Sequence, residues 1–346
     1  MKVVHLAQLY WPHVGGIEKH IELLASALKK KNCETVVVTK KYDVSLPSFE
    51  RKGSTTIHRF DVSESSPFQH KLSVWKGIWN SRNVLFQADV IHVHDVFWWL
   101  LPLLPFLLLK NKKVFMTFHG YEGSEAPQWK QKFWHKSAEA WSNGNLCIGG
   151  FHTKYYGIQP TLVSFGAVES KIKQRAKSAT KRTAIFIGRL QQDTGFLEYV
   201  EAIKVLRDRG EVWQLDVYGE GSQLTQAQAF CEENALTKQV HFHGFVANAD
   251  RFLPKYSVAF VSRYLALLEA LSAGVPVVAQ YTNNIKKDYL VLDSPFAEWI
   301  SVARTPKQIA DCVQEKRKGM SKAQKWADSQ TWSKMADTYL TLWTQS

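Results

Sequence analysis

Three segments combine residue types and spacings that suit the handling of anions and hydroxyl groups. Pro12-His13-Val14-Gly15-Gly16-Ile17-Glu18 is a glycine-rich turn after a short apolar run and before a helical period. Gly15 and Gly16 lack a Cβ, so the backbone there can approach a ligand, and the free N–H groups of a helix N-terminus favour an anion. Phe186-Ile187-Gly188-Arg189-Leu190 delivers Arg189 to the carboxyl edge of a strand, where ligands bind in open α/β sheets. A guanidinium in that position can pair bidentately with phosphate oxygens.

In Leu265–Val278 a single acidic residue, Glu269, interrupts an apolar helix that ends at Gly274. A buried, unpaired carboxylate is costly, so Glu269 calls for a partner such as ribose hydroxyls or a helix N-terminus. His119 follows the strand-like Val114–Phe118 and precedes Gly120. Each feature has a plain alternative: an ordinary turn, a solvated loop arginine, a structural cap, or one more histidine where ten of twelve precede residue 153. His92 and His94 alternate on a strand and face one side, as two metal ligands would. No third ligand has suitable spacing, so they read as cleft or packing residues and no metal site is expected.

The elements that position these residues follow a βα grammar, which predicts a parallel-sheet α/β fold. In the first half the strands are expected at Val3–Gln8, Thr35–Thr39, Thr56–Phe60, Val90–Val93, Val114–Thr117, Leu146–Ile148 and Thr161–Val163. The clearest helix runs from Ile17 to Lys30, with Ile17, His20, Ile21, Leu24 and Leu28 at helical spacing. The second half restarts at Thr183–Gly188 and continues through Gln214–Gly219, Val240–Gly244, Ser257–Ser262 and Val275–Ala279. Helices are expected between these strands near 196–209, 222–235, 265–273 and 306–318. The charged stretch 169–182 has no apolar face and reads as a linker.

At 346 residues, 45% hydrophobic and 22% charged, the chain suits two globular domains rather than disorder. Its +13 charge favours an anionic partner. Residues 1–168 hold 20 basic and 12 acidic groups, so +8 of that surplus is N-terminal. Four scattered cysteines form no C-x-x-C pair, which fits a reducing cytoplasm with neither zinc nor disulfides. The first apolar run is too short for a signal peptide and reads as a strand. Residues 97–109, apolar on every face and followed by Lys110, Lys112 and Lys113, are too few to span a bilayer. They read either as a buried helix or as a surface that dips into an anionic membrane interface, making the protein peripheral at the inner face of the cell membrane.

Taken in order, PHVGGIEKH, TFHG at 117–120, FGAV at 165–168, FIGRL, VYGEGS at 217–222, HFHGFV at 241–246 and LLEALSAGVPVVA at 267–279 resemble the family 4 retaining glycosyltransferases across almost the whole chain. The resemblance implies the GT-B fold, two Rossmann-like domains facing a central cleft: an acceptor domain over 1–168, a nucleotide-sugar domain over 169–325, and a terminal helix over 326–346 crossing back. It implies a nucleoside-diphosphate sugar as donor substrate, a saccharide or lipid-linked acceptor in cell-surface polysaccharide or glycolipid synthesis, no cofactor and no metal. Gly15 and Gly16 would approach the donor diphosphate, His119 the donor sugar and reacting centre, and Arg189 the diphosphate. Gly219 and Gly221 would leave room for the nucleoside, and Glu269 would bond the ribose. Retention is usually explained by front-side attack, the leaving phosphate taking the acceptor proton.

Two departures stand out. Thr194 occupies the place of the family's lysine, and a hydroxyl can donate one hydrogen bond but cannot offset charge. About four residues of the loop before Leu265 are deleted, leaving Ser262-Arg263-Tyr264 to enter the helix directly. Arg263 or Lys286 is then the expected source of the absent charge. A catalytically degenerate sugar-nucleotide or partner-binding protein is the alternative. A nucleic-acid binder lacks any accompanying motif, and an NAD enzyme would need a G-x-G-x-x-G that neither half has.

Overall fold

The computed structural model describes residues 1–121, 126–169, 182–315 and 318–344, which form two compact units. The first comprises 1–121, 126–164 and 332–344, and the second the described residues of 165–331. Most of the expected linker, 170–181, lies outside the described residues.

The first unit runs β1 (Lys2–Leu6), α1 (Gly16–Lys29), β2 (Glu34–Lys40), β3 (Phe49–Lys52), β4 (Thr55–Phe60), α2 (Pro67–Asn80), α3 (Arg82–Phe86), β5 (Val90–His94), α4 (Leu104–Leu109), β6 (Lys113–Phe118), α5 (Trp129–Trp141), β7 (Gly144–Ile148), α6 (Phe151–Tyr156) and β8 (Leu162–Ser164). Its sheet has the order β3-β4-β2-β1-β5-β6-β7-β8, parallel except for the β3–β4 pair at one edge. The central strands are covered on both faces, which is why VVHL and VIHVH read as nearly unbroken buried runs. Helix α1 packs with His20, Ile21, Leu24 and Leu28 buried.

The second unit runs β9 (Thr183–Ile187), α7 (Phe196–Asp208), β10 (Gln214–Tyr218), α8 (Leu224–Glu233), β11 (Val240–Phe242), β12 (Val258–Phe260), α9 (Tyr264–Ser272), β13 (Val277–Gln280), α10 (Asn284–Val291), β14 (Ile300–Ala303), α11 (Pro306–Gln314) and α12 (Met320–Ser329). The all-parallel order β11-β10-β9-β12-β13-β14 is the doubly wound arrangement, with its switch point between β9 and β12. Phe186, Phe196, Tyr199 and Phe260 form its aromatic centre, Tyr199 stacking on Phe260 at 4.7 Å. Helix α13 (Trp332–Thr344) belongs to the first unit, where it packs on α1 and buries Tyr339, Leu342 and Trp343.

The apolar run 97–109 is not one helix. It breaks into a 3₁₀ turn, Phe97–Leu100, and the short α4, because Pro102 and Pro105 each remove a backbone donor. Phe97, Trp99, Leu100, Leu104 and Leu107 are buried, whereas Phe106, Leu108 and Leu109 are exposed.

Candidate functional site

In the second unit the switch point gathers the loops after β9, β10 and β12. The backbone continues to pair beyond the strands: Gly188 N–H donates to Tyr218 O at 3.1 Å, and Leu190 N–H to Glu220 O at 2.9 Å. A Cβ on Gly219, where φ is +153°, would sit 1.8 Å from the Gly188 carbonyl oxygen. One on Gly221 would sit 2.3 Å from that of Leu190. The space beside both glycines is thus filled by the 188–190 backbone, so glycine is what lets the two loops lie together.

Those loops carry the cations. Arg189 donates to Oδ2 of Asp193 at 2.8 Å, and Arg263, arriving after β12, binds the same oxygen. The Thr194 hydroxyl is turned inward, 2.8 Å from Arg189 O and 2.7 Å from Gln191 O, and its own carbonyl accepts from Ser262 Oγ at 2.9 Å. This tie holds the 189–194 loop to the start of α9, whose N-cap is Arg263 and on which Glu269 lies buried.

A third basic residue stands behind them. Lys286 on α10 is fully buried, with Nζ 3.1 Å from Oε1 of Gln280. That same oxygen lies where a Cβ on Gly195 would go, 2.1 Å from it. Lys286 therefore brings its nitrogen close to the 193–195 segment from a different element. Burial, aided by the charge of Arg263, draws its pKa down to about 7.

In the first unit, Gly16 opens α1 with no atom within 4 Å of where its Cβ would be. Beside it, a Cβ on Gly15 would meet the Glu18 carboxylate at 2.3 Å. Glu18 folds back over the helix start and pairs with His13 Nδ1 at 2.9 Å. An acidic side chain thus already lies at this N-terminus, the place it is favoured.

His119 sits just past β6. Its backbone N–H donates to Asp95 Oδ1 at 3.1 Å, and its Nε2 is 2.7 Å from Nδ1 of His94. His94 Nε2 in turn meets His5 Nδ1 at 2.9 Å. A second chain runs alongside: Trp343 Nε1–H donates to His92 Nδ1 at 2.9 Å, His92 Nε2 meets Thr117 Oγ1 at 2.7 Å, and Tyr339 OH lies 2.9 Å from both Thr117 Oγ1 and His20 Nε2. Burial lowers all five imidazoles, His5 and His20 to about 3, and His92, His94 and His119 well below the usual range, so they are neutral near pH 7. These rings bond one another rather than converge on a point, and no metal-holding group of His, Cys, Asp or Glu occurs among the described residues.

A cavity of about 230 Å³ opens in the same unit, lined by Lys40, His70, Asp95, Trp98, Trp134 and His135 among others. Asp95 joins it to the His119 backbone. Sequence reasoning singled out Arg189, Thr194, Arg263 and Lys286, which the fold brings to one sheet edge. It gave no role to Asp193, Gln280, His5, His20, Tyr339 or Trp343. For His20 the signal was present: a titratable residue on the apolar face of α1.

The model for Glycosyltransferase Family 4 matches residues 14–148, and that for Glycosyl transferases group 1 matches 168–327. A GDP-mannose:cellobiosyl-diphosphopolyprenol alpha-mannosyltransferase of Xanthomonas campestris is 24% identical over 66% of this chain and 62% of its own length. Its counterpart in Xanthomonas oryzae is 24% identical over 81% and 78%. The match therefore spans a little over three fifths of the first of these relatives. Among solved structures, sucrose-phosphate synthase from Thermosynechococcus elongatus superposes with a TM-score of 0.74 at 13% identity, over 99% of this chain and 98% of that one. Anabaena HepE in complex with UDP and glucose gives 0.71 at 13% identity, over 99% of each chain. Two parallel-sheet α/β units, matched almost end to end by these two models, make the chain a member of the family 4, group 1 glycosyltransferases.

Proposed function

We propose that the protein is a retaining glycosyltransferase that moves a sugar from a nucleoside diphosphate to a saccharide or lipid-linked acceptor. The observation that carries this reading is the cation cluster at the β9–β12 switch point. Arg189 and Arg263 stand at the carboxyl edge of the sheet, with Lys286 behind them. Negative charge accumulates on the departing diphosphate as the glycosidic bond breaks, and preorganised cations stabilise it. Lys286, approaching the 193–195 segment from α10, supplies the charge that Thr194 cannot once a bound diphosphate draws its lowered pKa back up. Glu269 bonds the ribose, and His119 contacts the sugar. The chemistry asks nothing of a metal beyond what these cations give. The activity named for the Xanthomonas relatives and the UDP and glucose bound to HepE support donor and acceptor classes of this kind.

We also place the protein at an anionic membrane. No helix among the described residues is long and apolar enough to cross a bilayer. Helices α2, α4 and α5 nevertheless expose Phe68, Leu72, Trp79, Phe106, Leu108, Leu109, Trp129, Phe133, Trp134 and Trp141. Trp79 packs edge-on against Phe106 at 5.5 Å, and Leu108 and Trp141 line one hollow, so the exposed apolar residues of α4 adjoin those of both α2 and α5. Along the sequence Lys71, Lys76, Lys110, Lys112, Lys113, Lys130, Lys132 and Lys136 fall among or beside these residues, and Glu139 is the one acid in the three helices. Aromatic anchors within a basic field suit an acidic leaflet.

Release of nucleoside diphosphate from UDP-, GDP- and dTDP-sugars, with membrane extract as acceptor, tests the catalytic reading. One donor should turn over, and Arg189→Ala should lower kcat/KM by roughly 10²–10³-fold. Thermal stabilisation by a nucleotide without turnover of any donor would instead favour a binding protein.

A further inference from the structure

The chain Trp343–His92–Thr117–Tyr339–His20 has a direction. An indole N–H can only donate, so His92 accepts at Nδ1 and carries its proton on Nε2. Thr117 accepts from His92 and donates to Tyr339, which donates to His20 Nε2; every proton between Trp343 and His20 then has an acceptor.

The neighbouring chain His5–His94–His119 contains no such one-way group. Three neutral imidazoles in series have two consistent states. With the proton of His5 on Nδ1, His94 must accept at Nε2 and donate from Nδ1, and His119 must accept at Nε2 and carry its own proton on Nδ1. In the other state every proton moves to the opposite nitrogen. What separates the two is the far end. His5 is fully buried on β1, and its Nε2 has no hydrogen-bond partner. One state leaves a bare lone pair there and the other an N–H. A buried donor without an acceptor is the rarer and costlier fault.

We propose that His94, whose far nitrogen faces the buried dead end at His5, is a positioning residue that fixes the tautomer of His119, so that the partly buried His119 presents Nδ1–H as a hydrogen-bond donor. On this assignment Nε2 of His119 is already occupied by His94, and Nδ1 carries a proton to give, so the ring donates to a ligand oxygen and does not act as a base. This rests on the reading of His119 as a sugar-contacting group, but the tautomer itself is independent of turnover.

The test is long-range ¹H–¹⁵N correlation on protein labelled at histidine, with His119 assigned by loss of its signals in His119→Gln. In the wild type near pH 7 the expected result is a neutral His119 protonated at Nδ1. In His94→Leu the constraint is gone, and His119 should move toward the Nε2–H form that free imidazole side chains prefer. In His5→Leu the dead end passes to His94 Nε2, and His119 should stay protonated at Nδ1. A wild-type His119 protonated at Nε2 would overturn the assignment, as would a His94→Leu variant with an unchanged signature. Should His94→Leu fail to fold, the wild-type and His5→Leu spectra decide. A protein without transferase activity but with the expected spectra would overturn the functional reading and leave the relay standing.

Discussion

Arg189 and Arg263 meet on a single carboxylate oxygen, Oδ2 of Asp193, though Arg263 lies 70 residues from it in sequence. Arg189 and Asp193 are both well exposed, so their pair is worth no more than ~1 kcal/mol. Asp193 then matters less for stability than for what it does to an incoming anion. Removing its charge in Asp193→Asn should leave the thermal midpoint nearly unchanged and tighten nucleoside diphosphate binding, by roughly fivefold at low salt. Titration calorimetry with UDP and GDP at two ionic strengths checks this; weaker binding would mean that Asp193 chiefly orients the arginines.

Lys286 sets stability against function. Its pKa falls from the usual 10.5 to about 7 in the fold. The unfolded chain therefore binds this proton more readily, and stability rises with pH between those values. Below pH 7 both states are protonated and the burial penalty is complete; above 10.5 it is absent. Lys286→Met should stabilise the protein at neutral pH by on the order of 2–4 kcal/mol, with the gain fading toward pH 10.5. Donor kcat/KM should drop in the same variant. Adding Thr194→Lys should restore part of it, which unfolding curves and donor kinetics on the single and double variants will show.

The glycines divide by what surrounds them. Gly16→Ala meets no atom within 4 Å, so the variant should fold with an unchanged midpoint, and any loss of donor turnover would report a ligand at α1. Gly219→Ala and Gly221→Ala drive a methyl into the 188–190 backbone and should destabilise the second unit by about 3 kcal/mol or more. Circular dichroism melts of the three variants separate the cases.

Membrane attachment should depend on α5 as much as on residues 97–109. Trp129→Ser/Phe133→Ser and Leu108→Ser/Leu109→Ser should each weaken flotation with anionic vesicles about tenfold, while Trp98→Ser/Trp99→Ser, which alters the buried Trp99, should chiefly lower stability. Equal binding to neutral and anionic vesicles would rule out the lysine field as the source of affinity.

The strands of both sheets were readable because central parallel strands are buried on two faces and show as short β-branched runs. Phe49–Lys52 was not, since FERK is an exposed antiparallel edge with no apolar pattern. Ile300–Ala303, the other missed strand, has only four residues. Helices α2 and α5 escaped because their aromatic residues face outward and blur the polar side. For the candidate site, position after a strand pointed to Arg189, a lone acid in an apolar helix to Glu269, and the charge missing at Thr194 and the shortened loop to Arg263. The Asp193–Arg263 pair, Gln280 under Gly195, and Tyr339 and Trp343 against His92 are long-range contacts, and local sequence carries no sign of them.

Trp343, the donor that gives the His92 chain its direction, lies in α13, after every strand of the second unit. During synthesis the 165–331 segment can therefore acquire all its strands before the first unit has its last helix. Until Tyr339 and Trp343 leave the ribosome, His92, Thr117 and His20 lack these partners, and the first unit is completed only after the strands of the second have been made.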